Sequence, residues 1–131
     1  MSYTVVNPAD GTFVAEVEHV DAASTDAAVA EGVGAQRGWA RAAPADRARA
    51  LRRFAASVDD DLEHLARLET TNSGHPISQS RWEAGHVRDV LEYYSAAPER
   101  LIGQQIPVSG GLDVTFHEPL GVVGVITPWN F

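Results

Sequence analysis

An apolar run near the end of this 131-residue sequence, residues 121–126, places the strongest limit on its fold. Four of the five residues from 122 to 126 are β-branched aliphatics, and no polar residue alternates with them. Such a run is typical of a strand that is buried on both faces, as in a parallel sheet. Thr127 and Pro128 end the predicted strand, because proline lacks the N–H group that a central strand donates to its neighbour. The run therefore predicts an α/β fold.

Trp129 and Asn130 follow directly after this strand. Open α/β sheets bind their ligands just beyond the carboxyl ends of the strands. The amide of Asn130 is an uncharged N–H donor, a group suited to an oxyanion that develops during a reaction. A turn-forming asparagine is the structural alternative, and position alone favours neither interpretation.

The N-terminal residues predict a small antiparallel hairpin. The β-rich runs 3–6 and 12–17 flank residues 7–11, Asn-Pro-Ala-Asp-Gly, which have the composition of a turn. Asn7 and Asp10 are interpreted as turn formers and not as ligands.

Two helices are predicted next. Ser24 caps an alanine-rich helix that runs to about Ala42, and Pro44 opens a second helix that runs to residue 58. The second helix is expected to bury Leu51, Phe54, Ala55 and Val58, which recur at the spacing of one helical face. The glycines at 32, 34 and 38 do not fit a dinucleotide fingerprint, because the third is one position late and no strand precedes them.

Two further helices are predicted from capping-box pairs, Asp60 with Glu63 and Ser80 with Glu83. Their inner faces are expected to consist of Leu62, Leu65, Ala66 and Leu68 in the first and Val87, Val90, Leu91 and Tyr94 in the second. Residues 72–74 stop the first helix, and Pro98 ends or kinks the second. The three aspartates at 59–61 fit helix capping better than metal binding, and the five histidines show no metal-ligand spacing, so no metal site is predicted.

A second hairpin is predicted over residues 105–118, around the turn Ser109-Gly110-Gly111. In its second arm the apolar residues 112, 114 and 116 alternate with polar ones, so one face of the arm is apolar and the other polar. This hairpin is expected to project from the helical body.

Composition excludes several classes of function. The net charge of −8 disfavours nucleic acid and anionic membranes as partners. The absence of cysteine excludes disulfides, thiolate metal sites and a cysteine nucleophile on this chain. The N-terminus lacks the basic start and apolar run of a signal peptide, so we expect a cytoplasmic protein.

Three segments resemble one family. Residues 118–131, EPLGVVGVITPWNF, are similar to the "EPxGVVGxIxPWNF" signature of the NAD(P)-dependent aldehyde dehydrogenases. Residues 7–11 resemble the family's "NPxxG" turn, and residues 69–76 resemble its "ExxxxGKP" segment, with His75 in place of the lysine. Order and approximate spacing agree, so the resemblance covers the whole chain but only the first part of a family member.

The resemblance implies a division into three parts: a hairpin and helices of the cofactor-binding domain (1–103), an oligomerisation-arm hairpin (104–118), and the first strand of a Rossmann-like sheet with the PWNF motif (119–131). It implies that Asn130 is the side-chain half of the oxyanion hole. Ile126, Thr127, Pro128 and Trp129 match positions that line the NAD or NADP cofactor. The family's catalytic cysteine and glutamate lie downstream of this motif.

The function implied is the oxidation of an aldehyde to a carboxylic acid, by a parent enzyme that forms a homo-oligomer. The 131-residue chain alone is expected to be inactive. Two alternatives remain open at this stage: a non-catalytic assembly or interaction module, and an acyl-phosphate or semialdehyde reductase of the same fold.

Overall fold

The computed structural model describes residues 2–128 as two hairpins joined by four helices. In chain order the elements are β1 (Ser2–Val6), β2 (Phe13–Glu18), α1 (Ala22–Trp39), α2 (Pro44–Asp60), α3 (Leu62–Ser73), α4 (Ile77–Ser95), a 3-10 turn (Ala97–Glu99), β3 (Gln105–Ile106) and β4 (Asp113–Val114).

The N-terminal hairpin is confirmed. Strands β1 and β2 pair antiparallel, with Tyr3 opposite Val17. In the connecting turn, the Asn7 side chain accepts a hydrogen bond from the Ala9 N–H at 3.0 Å, and Asp10 accepts from the Thr12 N–H at 2.9 Å. Hydrogen bonds from the Thr12 hydroxyl and from the Thr12 N–H lower the pKa of Asp10. Both side chains therefore act as turn formers, as predicted.

Helix α1 begins and ends earlier than predicted. Asp21, and not Ser24, is the N-cap: its carboxylate accepts the Ser24 N–H at 2.7 Å, which satisfies a donor that the first helical turn leaves free. This bond is the largest cause of a lowered pKa for Asp21. The helix ends at Trp39, short of Ala42. All three glycines at 32, 34 and 38 lie inside the helix, in agreement with the rejection of a dinucleotide fingerprint.

Helices α2, α3 and α4 form the packed body of the chain, in which α4 contacts both of the others. Small side chains make up most of the core: Ala48 and Ala55 of α2, Ala66 of α3 and Ala84 of α4 are buried, and Val58 joins them. Small residues let helix backbones approach closely, so the contact surface follows the alanines.

The predicted inner faces are therefore partly wrong. Val58 is buried and Leu51 half-buried, but Phe54 is 57% exposed, and the fully buried residue beside it is Ala55. On α3, Leu68 is also exposed. On α4, the exposed residues include Val87, Val90 and Tyr94, and the buried ones are Ser80, Ala84 and Ser95. The apolar residues do recur at helical spacing, but the face that packs against the neighbouring helices is the one that carries the smaller residues.

Both predicted capping boxes are wrong. The break between α2 and α3 falls at Asp61, whose side chain makes no capping hydrogen bond. Glu63 binds Arg81 of α4 instead of a helix end, at 2.8 and 2.9 Å. Ser80 lies inside α4, which already begins at Ile77, and its hydroxyl lies 3.0 Å from that of Thr70. The prediction that Pro98 ends or kinks α4 is confirmed, since the helix ends at Ser95.

Charged pairs join the helices on the surface of this body. Arg88 of α4 donates to Asp59 of α2 at 2.6 Å and to the neighbouring Asp89 at 2.7 Å. Arg81 and Arg67 both pair with Glu63. Packing of the alanines thus brings α4 against α2 and α3. Arginine–carboxylate pairs link the helices at the solvent-exposed edges of this contact surface.

The second hairpin forms, with strands shorter than predicted. Strands β3 and β4 pair only over Gln105–Ile106 and Asp113–Val114, and the pairing extends through the Thr115 N–H, which donates to the Gln104 carbonyl at 2.8 Å. Gly103 is required at the base, since a Cβ there would overlap the carbonyl of Thr115. Leu112, Val114 and Phe116 are exposed, in agreement with a hairpin outside the helical core.

The apolar run at 121–126 does not form the strand buried on both faces that the sequence predicts. It has no strand partner among residues 2–128, and Ile126 is 99% exposed. A strand exists only where a neighbouring strand satisfies its N–H and C=O groups, and the described strands pair only within the β1–β2 and β3–β4 hairpins. The run touches α1, where Val122 lies next to Gly32.

Candidate active site

The structure describes three of the five predicted site residues. Ile126, Thr127 and Pro128 lie at the exposed end of the chain that follows the hairpin. Trp129 and Asn130 lie outside the described residues. Of the three, Pro128 borders a cleft in the helical body.

This cleft, referred to below as the α4 cleft, opens between α2, α3 and α4 and has a volume of about 940 Å³. Its walls are mainly apolar. They are formed by Phe54 and Val58 of α2, Leu65 and Leu68 of α3, and Trp82 and Val87 of α4. The helices pack on one another through their alanines. The larger side chains therefore lie beside the contact surface, where they line the cleft.

An aromatic pair lines the α4 cleft. Trp82 and His86 stack with their ring centroids 5.1 Å apart and an angle of 10° between the ring planes. They are four residues apart on α4, a spacing that places two side chains on the same helical face. Trp82 remains 64% exposed, so much of its ring surface is open to the cleft and to solvent.

The floor of the cleft near the α3–α4 turn is polar and ordered by hydrogen bonds. The Ser80 hydroxyl is fully buried and lies within bonding distance of the Thr70 hydroxyl and of the Pro76 carbonyl. Beside it, His75 Nε2 lies 3.2 Å from Glu83 Oε1, with both side chains largely shielded from solvent. These contacts fix the start of α4 against the end of α3.

Acidic side chains give the cleft its charge. Asp61, Glu69 and Glu83 all line it, and among the lining residues within 2–128 His86 is the only one of a basic type. Within residues 2–128, no group of three or more histidine, aspartate or glutamate side chains has the arrangement of a metal site. The α4 cleft can thus bind an apolar group while repelling an anion.

The sequence reasoning missed the Trp82–His86 pair. The signal was present, because the two residues have helical i, i+4 spacing within a stretch identified as a helix. The inner face predicted for α4, Val87, Val90, Leu91 and Tyr94, includes neither of them.

In the part of the chain that the structure describes, the helices are too short or too polar to cross a membrane.

Comparison with known proteins identifies the class. The sequence profile of the aldehyde dehydrogenase family matches residues 1–131, the whole chain, and the chain therefore belongs to the aldehyde dehydrogenase family.

Several solved structures superimpose well on this chain. The aldehyde dehydrogenase KauB from Pseudomonas aeruginosa matches with a TM-score of 0.93 and 32% identity, over 98% of this chain and 27% of KauB. PnpE in complex with nicotinamide adenine dinucleotide matches with a TM-score of 0.81 and 32% identity, over 86% of this chain and 23% of PnpE. An NADP-dependent enzyme of E. coli matches with a TM-score of 0.80 and 27% identity, over 83% and 23%.

These matches confirm the predicted fold class, α/β and the N-terminal part of the aldehyde dehydrogenase fold. The chain spans only about a quarter of the length of the structures that it matches.

Proposed function

We propose that this chain is the N-terminal part of an NAD- or NADP-dependent enzyme that oxidises an aldehyde to the carboxylic acid. The observation that carries the proposal is the family match over all 131 residues, which includes the terminal segment Thr-Pro-Trp-Asn-Phe. The named cofactors of the similar structures, NAD in PnpE and NADP in the E. coli enzyme, support both nicotinamide dinucleotides as candidates.

Asn130 is the proposed catalytic residue of this chain. Attack on an aldehyde carbon turns the carbonyl oxygen into an oxyanion, and an amide N–H stabilises that charge without supplying a proton. The exposed position of Ile126 and Thr127 and the location of Pro128 at the α4 cleft support a ligand site where this segment ends.

The described residues fit only one end of the cofactor. Ile126, Thr127 and Pro128 are open and uncharged, which suits contact with a flat nicotinamide ring; when bound, the dinucleotide accepts the hydride of the aldehyde. No glycine-rich phosphate loop occurs within residues 2–128, since the glycines at 32–38 are helical. With Trp129, these three residues are the proposed contacts to the nicotinamide end.

The 131-residue chain alone is proposed to be inactive. Covalent aldehyde oxidation requires a nucleophile, which the family provides as a cysteine, and this chain has none. A non-catalytic assembly module remains the second candidate. It is favoured by the many exposed apolar side chains, such as Phe13, Ile102 and Phe116, because large exposed apolar surfaces mark interaction sites.

The exposed β3–β4 hairpin (104–118) is proposed as the arm through which the complete enzyme forms a homo-oligomer, between a helical part (1–103) and a first sheet strand (119–131). Neutral aldehydes, and not nucleic acid or membranes, are the proposed partners of this acidic protein, and the cytoplasm is its proposed location.

The experiment compares the 131-residue chain with the product of the complete reading frame that contains it. NAD and NADP reduction is followed by near-ultraviolet absorbance with several aldehydes. Activity is expected only for the complete protein, and Asn130→Ala is expected to lower kcat roughly a hundred- to a thousand-fold while the Kd of the cofactor changes by about tenfold at most.

Asn130→Asp, which places a negative charge where the oxyanion forms, is expected to be at least as damaging. A reading frame that ends at Phe131 would favour the assembly module. An effect of Asn130→Ala confined to cofactor affinity would leave Asn130 as a turn residue.

A further inference from the structure

We propose that the exposed side of α2 around Ala56 is a self-complementary surface, on which a second copy of this chain packs antiparallel. Along this side, two arginines precede Ala56 and two aspartates follow it, within residues 52–60, Arg-Arg-Phe-Ala-Ala-Ser-Val-Asp-Asp. The surface formed by Arg52, Arg53, Ala56, Asp59 and Asp60 is referred to below as the α2 face. The inference goes beyond the proposed function and does not depend on it.

The charged residues of the α2 face are placed symmetrically about Ala56. Arg52 and Arg53 come four and three residues before it, and Asp59 and Asp60 come three and four residues after it. Residues three and four positions apart lie on the same side of a helix. All five residues are exposed. The helix therefore presents positive charge, one small residue and negative charge in order along one side.

A two-fold axis at Ala56 brings opposite charges together. When two copies of α2 run antiparallel about this axis, a residue before Ala56 lies opposite the residue equally far after it in the other copy. Arg53 then faces Asp59 of the second copy, Arg52 faces Asp60, and the symmetry repeats both pairs. Parallel copies would bring like charges together, which disfavours that arrangement. The order of charges thus selects the antiparallel contact.

The small side chain of Ala56 permits a close approach at the axis. Packed helices lie about 8–10 Å apart, at a distance set by the side chains at their contact. Ala56 presents only a methyl group to its counterpart, so the long side chains of Arg52 and Arg53 can reach the carboxylates across the contact.

The C-terminal end of α2 is stabilised by such a partner. Asp59 and Asp60 lie in its last turn, where the negative end of the helix dipole disfavours acidic side chains. Arg88 of α4 binds Asp59 at 2.6 Å, but it also binds Asp89 at 2.7 Å. A carboxylate has lone pairs for further donors, so arginines from a second copy can bind in addition to Arg88.

Charge complementarity identifies the partner as a second copy of the chain. With a net charge of −8, two copies repel each other at long range, and only a local match of opposite charges favours contact. A purely acidic or purely basic partner would be attracted by one half of the α2 face and repelled by the other. A second α2 carries both halves in the order that an antiparallel contact requires.

Charge exchange tests the pairing, with the dimer Kd of the 131-residue chain measured by sedimentation equilibrium. At about 0.1 M salt the Debye length of about 10 Å limits repulsion between distant charges. The wild-type chain is expected to dimerise at concentrations up to about 1 mM. Arg52→Glu and Asp60→Arg each place like charges opposite each other twice, and each should raise the dimer Kd about tenfold or more.

The double variant Arg52→Glu with Asp60→Arg exchanges the two charges and restores opposite pairs. Its dimer Kd should return to within about threefold of the wild-type value. Arg41→Glu is the matched control, because it makes the same change of charge at an exposed residue between α1 and α2. It should leave the dimer Kd within about threefold of the wild-type value.

A cross-link locates the axis. The chain has no cysteine, so Ala56→Cys introduces a single thiol. A disulfide requires Cα atoms about 4.4–6.8 Å apart, a separation available to two copies of residue 56 on the axis. Mild oxidation should therefore give a linked dimer. Ser57→Cys, at the next exposed position and about 100° around the helix, is the control and should give at least about fivefold less.

The inference is overturned if the chain remains monomeric up to about 1 mM, or if Arg52→Glu and Asp60→Arg leave the dimer Kd unchanged. It is also overturned if the double variant fails to restore the dimer, or if residues 56 and 57 cross-link equally. A dimer formed through the β3–β4 hairpin would give these last results. None of the measurements uses catalytic activity, so failure of the proposed function would leave their outcome unaffected.

Discussion

Gly74 lies directly against the ring of Pro8, so that a Cβ added to Gly74 would approach Pro8 Cγ to 2.8 Å. The contact joins the turn between β1 and β2 to the end of α3, two segments that are far apart in the sequence. Gly74 is also the C-cap of α3, with a φ of 79° and its N–H donated to the Thr70 carbonyl at 3.0 Å. The turn at residues 7–11 and the segment 69–76, two of the three segments that resemble the family, thus meet in one packing contact.

Gly74→Ala is expected to destabilise the chain. A side chain is strained at positive φ, at a cost of about 1–3 kcal/mol, and the added Cβ also forces Pro8 away from the end of α3. Urea unfolding followed by circular dichroism measures the change.

Gly34→Ala is the matched control for this prediction. Gly34 lies inside α1, and a Cβ added to it would have no neighbouring atom within 4 Å, so alanine should raise stability by about 0.5–1 kcal/mol through helix propensity. Equal effects of the two substitutions would contradict the role assigned to the Gly74–Pro8 contact.

Ala55→Leu is expected to destabilise the helical body by about 1–3 kcal/mol, because Ala55 is fully buried in α2 and a larger side chain forces the helices apart. Ala56→Leu makes the same change at the next residue, which is exposed, and should alter stability by less than about 0.5 kcal/mol. Thermal unfolding of both variants measures the difference. A similar loss in both would mean that the contact face of α2 is not the one described.

The Ser80–Thr70 pair is expected to show energetic coupling. Ser80→Ala leaves the Thr70 hydroxyl without its partner at 3.0 Å, at a cost of about 1 kcal/mol or more. The double variant Ser80→Ala with Thr70→Val removes both polar groups and should cost less than the sum of the single changes. Chemical unfolding of the wild type, the two single variants and the double variant gives the coupling energy, and strictly additive effects would argue against the bond.

Glu63 is expected to make stability dependent on acidic pH. Its hydrogen bonds to Arg81, with attraction from Arg81 and Arg67, lower its pKa from 4.5 to about 2. A carboxylate with a lowered folded-state pKa contributes stability that is fully present above its unfolded pKa and is lost as pH falls through the folded value. The advantage of the wild-type chain over Glu63→Gln should therefore be constant above about pH 5 and decline from about pH 4.5 to 2.

Urea unfolding at several pH values tests this, together with an NMR titration of the Glu63 carboxyl group. Glu31→Gln, a substitution at an exposed position of α1, controls for the loss of one negative charge. An advantage of Glu63 that persists undiminished down to about pH 2 would contradict the Arg81 pairing. The stability that Glu63 contributes should be modest at most, because exposed ion pairs are screened by solvent.

Several features followed from local sequence alone. The turn at Asn7 and Asp10 forms because short polar side chains bond to the backbone two residues away, whatever the rest of the chain does. Pro44 and Pro98 mark helix boundaries for a similarly local reason, since proline fixes φ and lacks an N–H. The terminal segment 118–131 was specific enough to indicate the family, which the profile match confirms.

Other features depended on the neighbours that each residue meets. Phe54 and Ala55 are adjacent and both apolar, so periodicity could not tell which faces α4; the close approach of the helices selected the smaller one. Glu63 and Ser80 had the spacing of capping boxes, but Arg81 and Thr70 on adjacent helices provided other partners.

Residue order was therefore enough to specify the turns, the helix periods and the family, because these rest on backbone chemistry and on motifs. Packing decided which face of each helix is buried and brought Trp82 against His86 at the α4 cleft. It also decided that residues 121–126 form no strand. That apolar run has a strong local preference for extended structure, but a strand requires a hydrogen-bonding neighbour, and neighbours are a property of the packed chain.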